Sequence, residues 1–231
     1  MSNVPVMTID GPSGSGKGTV SRAAARALGW GLLDSGALYR LVALAGRQAG
    51  VNLDDETELA RLAETADIAF GSTGSGGEVV RLDGKDVTSA IRTEEAGNDA
   101  SKVAALPGVR AALLERQRRF AVAPGLVADG RDMGTVVFPR AEVKIFLTAS
   151  AAERASRRYK QLKEKGVAAN LAALSLEIAE RDLRDSTRAA SPLIASADAV
   201  LLDTTGLSVD TVVERVLEVA RGRLSRGVLK K

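Results

Sequence analysis

Gly11-Pro12-Ser13-Gly14-Ser15-Gly16-Lys17-Gly18-Thr19 is the stretch that decides how this chain folds. It holds the phosphate-loop frame of Gly, four residues, then Gly-Lys. It lies between a β-branched apolar run, Val4–Ile9, and an Ala-rich helical segment, Thr19–Leu28, which is the context that gives the frame meaning. Glycines let successive backbone N–H groups turn inward around phosphate oxygens. Lys17 adds a point charge near the β- and γ-phosphates, and the following helix presents its positive end. Gly18 stands where the general frame has Ser or Thr, and the hydroxyl comes one residue later. Thr19 is therefore the candidate contact for Mg²⁺ or its water shell; otherwise the metal contact differs from that in the GTPases. All nine residues, Gly11 to Thr19, are expected to bind a nucleoside triphosphate.

Outward from the loop, strands and helices alternate. Gly31-Leu32-Leu33, Leu126-Val127-Ala128, Val143–Leu147 and Ala199–Leu202 read as further buried strands. Helical pattern covers Ala37–Gln48, residues 54–66, Ala96–Val122 with a break at Pro107-Gly108, a charged stretch over about 151–188, and Val209–Arg223. The order predicts an α/β fold, a five-stranded parallel sheet with helices on both faces. Residues 67–92 differ in texture. A Gly/Ser turn separates Ile68-Ala69-Phe70 from Val79–Leu82, and Asp83-Gly84 is a hairpin signal before Lys85-Asp86-Val87. This predicts a small antiparallel β insert; a long surface loop is the alternative.

Composition narrows the chemistry. The 231 residues include no histidine and no cysteine, which excludes disulfides, thiolate nucleophiles, imidazole bases and Cys or His metal sites. Net charge is only +3, yet 23 of the 32 cations are arginine, the side chain suited to bidentate recognition of phosphate. A genome rich in G and C favours arginine codons as well. Aromatic residues make up 3% of the chain, too few for a single-strand nucleic-acid platform. No stretch is long and apolar enough to span a membrane, and the first residues lack a signal-peptide pattern, so a cytoplasmic protein is expected.

The Gly16-Lys17-Gly18-Thr19 ending resembles the nucleoside monophosphate kinases, and no Asn-Lys-x-Asp guanine motif occurs. Leu33-Asp34-Ser35-Gly36-Ala37-Leu38-Tyr39-Arg40, the run Asp129–Pro139 (DGRDMGTVVFP) and the run Glu180–Arg188 (ERDLRDSTR) are similar to segments of the bacterial cytidylate kinases, (d)CMP kinases of pyrimidine metabolism. The resemblance runs essentially end to end and includes the β insert. It implies the P-loop nucleoside monophosphate kinase fold as a single kinase domain. The core would take about 1–36, 103–150 and 189–231, the nucleotide-binding subdomain about 37–102 and a short lid about 151–188.

The resemblance also implies roles. Lys17, Arg131, Asp132 and Arg181 form the catalytic set, with Arg40, Arg131 and Arg181 clamping the CMP phosphate. Ser35, Arg110, Asp132 and Arg188 match positions around the cytosine ring, whose N4 amine donates while N3 and O2 accept. Ser101, Arg181 and Asp185 match positions near the sugar hydroxyls, contacts that admit dCMP as well. Arg154 and Arg158 would close over the ATP phosphates, with Arg184 a further candidate. As like charges at i,i+4 on one helical face, Arg154 and Arg158 repel unless an anion lies between them. Outside these motifs, a single arginine is more often a surface ion-pair partner, and Asp185 with Arg188 could form an ordinary i,i+3 pair. The implied activity is transfer of a phosphoryl group from ATP to CMP and dCMP by a monomer that engages neither nucleic acid nor membrane. Two other readings remain: a P-loop kinase for another monophosphate such as UMP, and a nucleic-acid-binding P-loop ATPase. The basic C-terminal tail is given no function.

Overall fold

A computed structural model describes residues 4–72, 78–164 and 166–228. The chain begins β1 (Val6–Asp10), α1 (Lys17–Leu28), β2 (Gly31–Asp34), α2 (Ser35–Gln48) and α3 (Glu56–Thr65). It continues with β3 (Ile68–Ser72), β4 (Glu78–Leu82), β5 (Lys85–Asp86), α4 (Glu94–Val103) and α5 (Pro107–Arg118). The remainder is β6 (Leu126–Gly130), a π-helical turn (Met133–Val137), β7 (Val143–Thr148), α6 (Ala151–Glu164), α7 (Leu171–Thr187), β8 (Val200–Asp203) and α8 (Val209–Val228). Two compact units result, one of residues up to Asp34 and from Gln117 onward, the other of Ser35–Arg116.

The first unit is built on a parallel sheet in the order β2-β6-β1-β7-β8. The five strands expected from the apolar runs are these five, and the crossover helices make the parallel pairing possible. β1 is buried along its whole length, so alternation along it sorts two faces rather than inside from outside. Met7 and Ile9, in register with Val143 and Ile145 of β7, pack against Val20 and Ala24 of α1 and Val212, Val216 and Ala220 of α8. The intervening residues, Thr8 and Asp10, give the opposite face a buried polar character, continued by Lys144 beside Thr8. Lys144 reaches the Pro139 carbonyl at 2.7 Å and Asp198 at 3.0 Å, so its buried charge is paired. Strands β1, β2 and β6 end at Asp10, Asp34 and Asp129-Gly130, which collects carboxylates at the edge where ligands of such sheets lie.

The charged stretch 151–188 forms two helices, not one. Gly166, at φ +72°, ends α6 with its N–H on the Lys163 carbonyl while the Val167 N–H reaches Leu162. Asn170 then restarts the chain, its side chain accepting from the N–H groups of Ala172 and Ala173. A left-handed glycine followed by an amide cap divides the stretch at the head of its uncharged run, Gly166–Leu176.

In the second unit, β3, β4 and β5 form an antiparallel sheet. Asp83 and Gly84 turn between β4 and β5 with φ +49° and +76°, the geometry their hairpin signal requires. The Gly/Ser turn expected between β3 and β4 lies outside the described residues. Val80 and Leu82 of β4 bury against Ala37, Leu41 and Ala45 of α2. Asp55 and Thr93 cap α3 and α4 through the N–H groups of Glu58 and Ala96. Arg47 of α2 then grips Asp99 of α4 through two bonds of 2.9 and 3.0 Å.

Gly11 has φ +152°, and a Cβ there would stand 2.0 Å from the Leu147 carbonyl oxygen, a backbone atom that cannot swing aside. Gly11→Ala should therefore lose about 2 kcal/mol or more in urea unfolding. Gly71→Ala, with open space around it, should stay within about 0.5 kcal/mol of the parent.

Candidate active site

Three carbonyls of the loop after β1, those of Pro12, Ser13 and Ser15, accept hydrogen bonds from side chains. The Lys17 Nζ donates to the Pro12 carbonyl at 3.1 Å, and Arg154 Nη1 to that of Ser13 at 3.1 Å. The Ser15 carbonyl accepts from Arg157 Nη1 at 3.4 Å and from Thr204 Oγ1 at 3.3 Å. Gly14 and Gly16 take φ +75° and +88°, which only glycine adopts freely. A glycine loop of this kind, leading into the first turn of α1, is the sort of backbone that suits an anion. The Ser15 Oγ is buried with no hydrogen-bond partner among the described residues.

Lys17 is buried at the start of α1. Burial first, then the cations Arg131 and Arg181, push its pKa down to about 7, with Asp129 and Asp185 opposing. Asp129 ends β6, and burial together with Asp34 raises its pKa to about 6 against the pull of Lys17, Arg131 and Arg22. Its Oδ2 lies 3.3 Å from where a Gly18 Cβ would stand, so a side chain at that position would crowd the carboxylate. Gly18 in the slot usually filled by a hydroxyl residue leaves that carboxylate uncrowded. Thr19 is exposed on the first turn of α1.

A second group gathers on Asp185 of α7. Arg131, just past β6, donates its Nε to Asp185 Oδ2 at 2.8 Å and Nη1 to the Gly130 carbonyl at 3.3 Å. Burial alone would raise the Asp185 carboxyl, but Arg131, Arg181 and Arg188 outweigh it and hold it below the usual range. Arg188 Nη2 stands 3.7 Å from Asp132 Oδ1, and its Nε donates to the Ser191 carbonyl at 2.6 Å. Asp10 accepts from the Met133 and Gly134 N–H groups, both at 2.8 Å, and burial lifts its carboxyl to about 7 against those two bonds.

Lys17, Arg131, Asp132, Arg181, Asp185 and Arg188 are thus drawn together within the first unit, linked by bonds and mutual fields. Ser35 and Arg40 lie on α2, Ser101 on α4 and Arg110 on α5, all in the second unit. There the Arg110 guanidinium stacks over the Tyr39 ring at 5.5 Å and bonds the Ala104 carbonyl at 3.2 Å. Arg154 is buried, with two bonds of 3.0 and 2.6 Å to Asp182 and a third to the Ala149 carbonyl. The anion beside Arg154 is therefore a carboxylate of α7. Arg158 is half-buried and donates to Gln161 at 3.1 Å. Asp10, Asp129, Arg157, Asp182 and Thr204 carry this architecture and had no place in the sequence-based set. For Asp10 and Asp129 a signal existed, an acidic residue closing an otherwise apolar strand.

A phosphate loop at the carboxyl edge of a parallel sheet, with a buried lysine faced by arginines, defines a P-loop phosphotransferase. A family model described as cytidylate kinase matches residues 7–222. A cytidylate kinase of Stutzerimonas stutzeri is 62% identical over 219 residues, spanning 94% of this chain and 96% of that one. One from Pseudomonas aeruginosa is 60% identical over 93% of this chain and 94% of its own length. Another, from Shewanella denitrificans, is 57% identical over 96% and 98%. The chain belongs to the cytidylate kinase family.

The depressed Lys17 makes a solution prediction. At about pH 8 the free protein holds Lys17 largely neutral, whereas bound polyphosphate favours the ammonium, so ATP binding takes up a proton. Calorimetric titrations in buffers of different ionisation enthalpy should show net uptake at about pH 8, and ATP affinity should weaken as pH rises from about 7.

Proposed function

We propose that this enzyme transfers the γ-phosphoryl group of ATP to CMP and dCMP, giving ADP with CDP or dCDP. The observation that carries the reading is the placement of Lys17, buried at the start of α1 beside the glycine loop with its Nζ on the Pro12 carbonyl, in the same unit as the Arg131–Asp185 pair. Arg131 and Arg181 lie near enough to lower its pKa while Asp129 and Asp185 compensate only in part. Such a cluster suits two phosphate-bearing substrates that must approach one another. An acceptor phosphate oxygen is already nucleophilic near neutral pH. It forms its bond to Pγ as the Pγ–O bond to ADP breaks, and no strong general base is needed. Lys17, Arg131 and Arg181 stabilise the charge on the transferring group in a buried setting, where such interactions are strongest.

The remaining assignments belong to the same proposal. Gly11–Thr19 hold the donor, with Arg154 and Arg158 on its side. Asp132, Ser35, Arg110 and Arg188 read the base; Arg40, Arg131 and Arg181 bind the acceptor phosphate; Ser101, Arg181 and Asp185 contact the sugar. Among the described residues no group of three or more acidic side chains could hold a metal ion. Mg²⁺ therefore enters with ATP, neutralising charge on the β- and γ-phosphates, a role that needs only one or two protein ligands. The buried Asp129 carboxylate, strained toward its neutral form, and Thr19 through water fit that requirement. Both substrates are free nucleotides, and the resemblance to the cytidylate kinases implies a monomer working in the cytoplasm. Neither nucleic acid nor a membrane enters the reaction.

A coupled assay against CMP, dCMP, UMP and AMP tests the reading, with CMP and dCMP expected to lead by a wide margin. UMP or AMP leading would replace the acceptor assignment, and nucleotide hydrolysis stimulated only by nucleic acid would replace the class. Lys17→Ala and Arg181→Ala should each lower kcat by roughly a hundredfold or more while the circular dichroism spectrum and Tm stay near those of the parent. Near-normal turnover of CMP in both variants would overturn the mechanism.

A further inference from the structure

Asp132 stands immediately before the π-helical turn Met133–Val137, the position from which a short acidic side chain ordinarily caps the first free N–H groups. It makes no such bond. The N–H groups of Met133 and Gly134 are instead received by the two oxygens of Asp10, one each, at 2.8 Å from a strand 123 and 124 residues away in sequence. Asp10 is buried at the end of β1, in register with Gly130, so its side chain spans directly from the central strand to the segment that follows β6. The approach is close from every side. A Cβ on Gly134 would lie 2.9 Å from Thr8 Oγ1 and 3.3 Å from both Asp10 Oδ2 and the Lys144 side chain.

The consequence falls on the two residues between β6 and the turn. Relieved of capping, Asp132 keeps its carboxylate for Arg188, and Arg131 keeps its guanidinium for Asp185. Were the turn to roll about its axis, both would move with it, because Asp132 is covalently joined to the N–H that Asp10 holds.

We infer that Asp10 is a positioning residue for the acceptor nucleotide: by capping the turn 133–137 in place of Asp132, it fixes where Asp132 and Arg131 present their charges. The inference rests on the proposed roles of Asp132 and Arg131 toward CMP. It differs from a general structural role in one respect. Asp10 also precedes Gly11, so a merely structural residue would disturb donor and acceptor binding together.

The test compares Asp10→Asn with Asp132→Asn by steady-state kinetics in both substrates, beside the melting temperature. An Asn amide accepts from one N–H and opposes the other, so the cap is halved. Because burial already opposes the ionised Asp10, removing its charge should leave the protein folded. The expected result is a KM for CMP raised roughly tenfold or more, with KM for ATP within about twofold of the parent and Tm nearly unchanged. A CMP KM within about twofold of the parent in Asp10→Asn, beside a large rise in Asp132→Asn, overturns the inference and leaves the function standing. Equal rises in both KM values also overturn it, placing Asp10 in the service of the phosphate loop. If Asp132→Asn itself leaves KM for CMP unchanged, the assigned role of Asp132 fails, and the inference with it. Should Asp10→Asn not fold, hydrogen exchange on the unaltered enzyme decides. The Met133 and Gly134 amides should exchange as slowly as those of β1, and exchange at the rate of exposed loops would overturn the cap.

Discussion

A lysine ammonium buried at the mouth of a glycine loop, with two arginines nearby, is the constraint on which the rest of this unit turns. Removing one cation from water is costly, and grouping three without matching anions costs more. The fold supplies two partial remedies, Asp129 at the end of β6 and Asp185 on α7, and both carry the mark of the arrangement. Asp129 is pushed toward its neutral form by burial, while the three arginines keep Asp185 ionised. Neither remedy is complete, and Lys17 settles near pKa 7 instead of in the usual lysine range. What would complete it is a ligand with several negative charges. The unfavourable electrostatics of the free site are therefore suited to a polyanion, which would offset both the burial of the lysine and its repulsion by the arginines.

That arrangement requires the loop itself to stay open, and the arginine-rich composition serves this need as much as it serves phosphate. Arg154 and Arg157 sit one helical turn apart on α6 and bond the Ser13 and Ser15 carbonyls. Each is anchored elsewhere, Arg154 on Asp182 and Arg157 on the Thr204 carbonyl and Glu153. A lysine at either place would reach one partner at a time; a guanidinium spans three. In the second unit Arg47 ties two helices through Asp99, and Arg116 caps carbonyls of α3 and its exit at Glu64 and Ala66. A good part of the arginine surplus is thus framework, held by forks that match carboxylates and carbonyls.

The division between what is legible in the residues and what is not follows contact distance along the chain. Short-range rules sufficed for the parallel strands, the Asp83-Gly84 hairpin and the phosphate loop, because period, turn chemistry and glycine spacing act within a few residues. At 151–188 they gave the helical character, and the break falls at Gly166 and Asn170, at the head of the uncharged run Gly166–Leu176. The site residues drawn from matched motifs, Lys17, Arg131, Arg181 and Asp185, do converge. Asp10 and Asp182 were opaque in their roles. Each owes its importance to a partner more than 25 positions away, Met133 and Arg154 respectively; the acidic end of an apolar strand marks Asp10 without revealing that partner, and nothing local marks Asp182.

The absence of histidine and cysteine acquires a physical sense against this background. Proton transfer by a tuned side chain matters where a nucleophile must be made; here the acceptor brings one that is already ionised. The protein's task reduces to offsetting the repulsion between two anionic substrates as they approach, which arginine and lysine do without changing protonation state in the step itself. The groups that do titrate near neutrality, Lys17, Asp129 and Asp10, are perturbed by burial first. Lys17 and Asp129 act on one another's charge, whereas Asp10 is turned toward backbone N–H groups. Sensitivity to pH in such a site arises from binding and positioning rather than from an acid–base step, and the same residues that set affinity set its pH dependence.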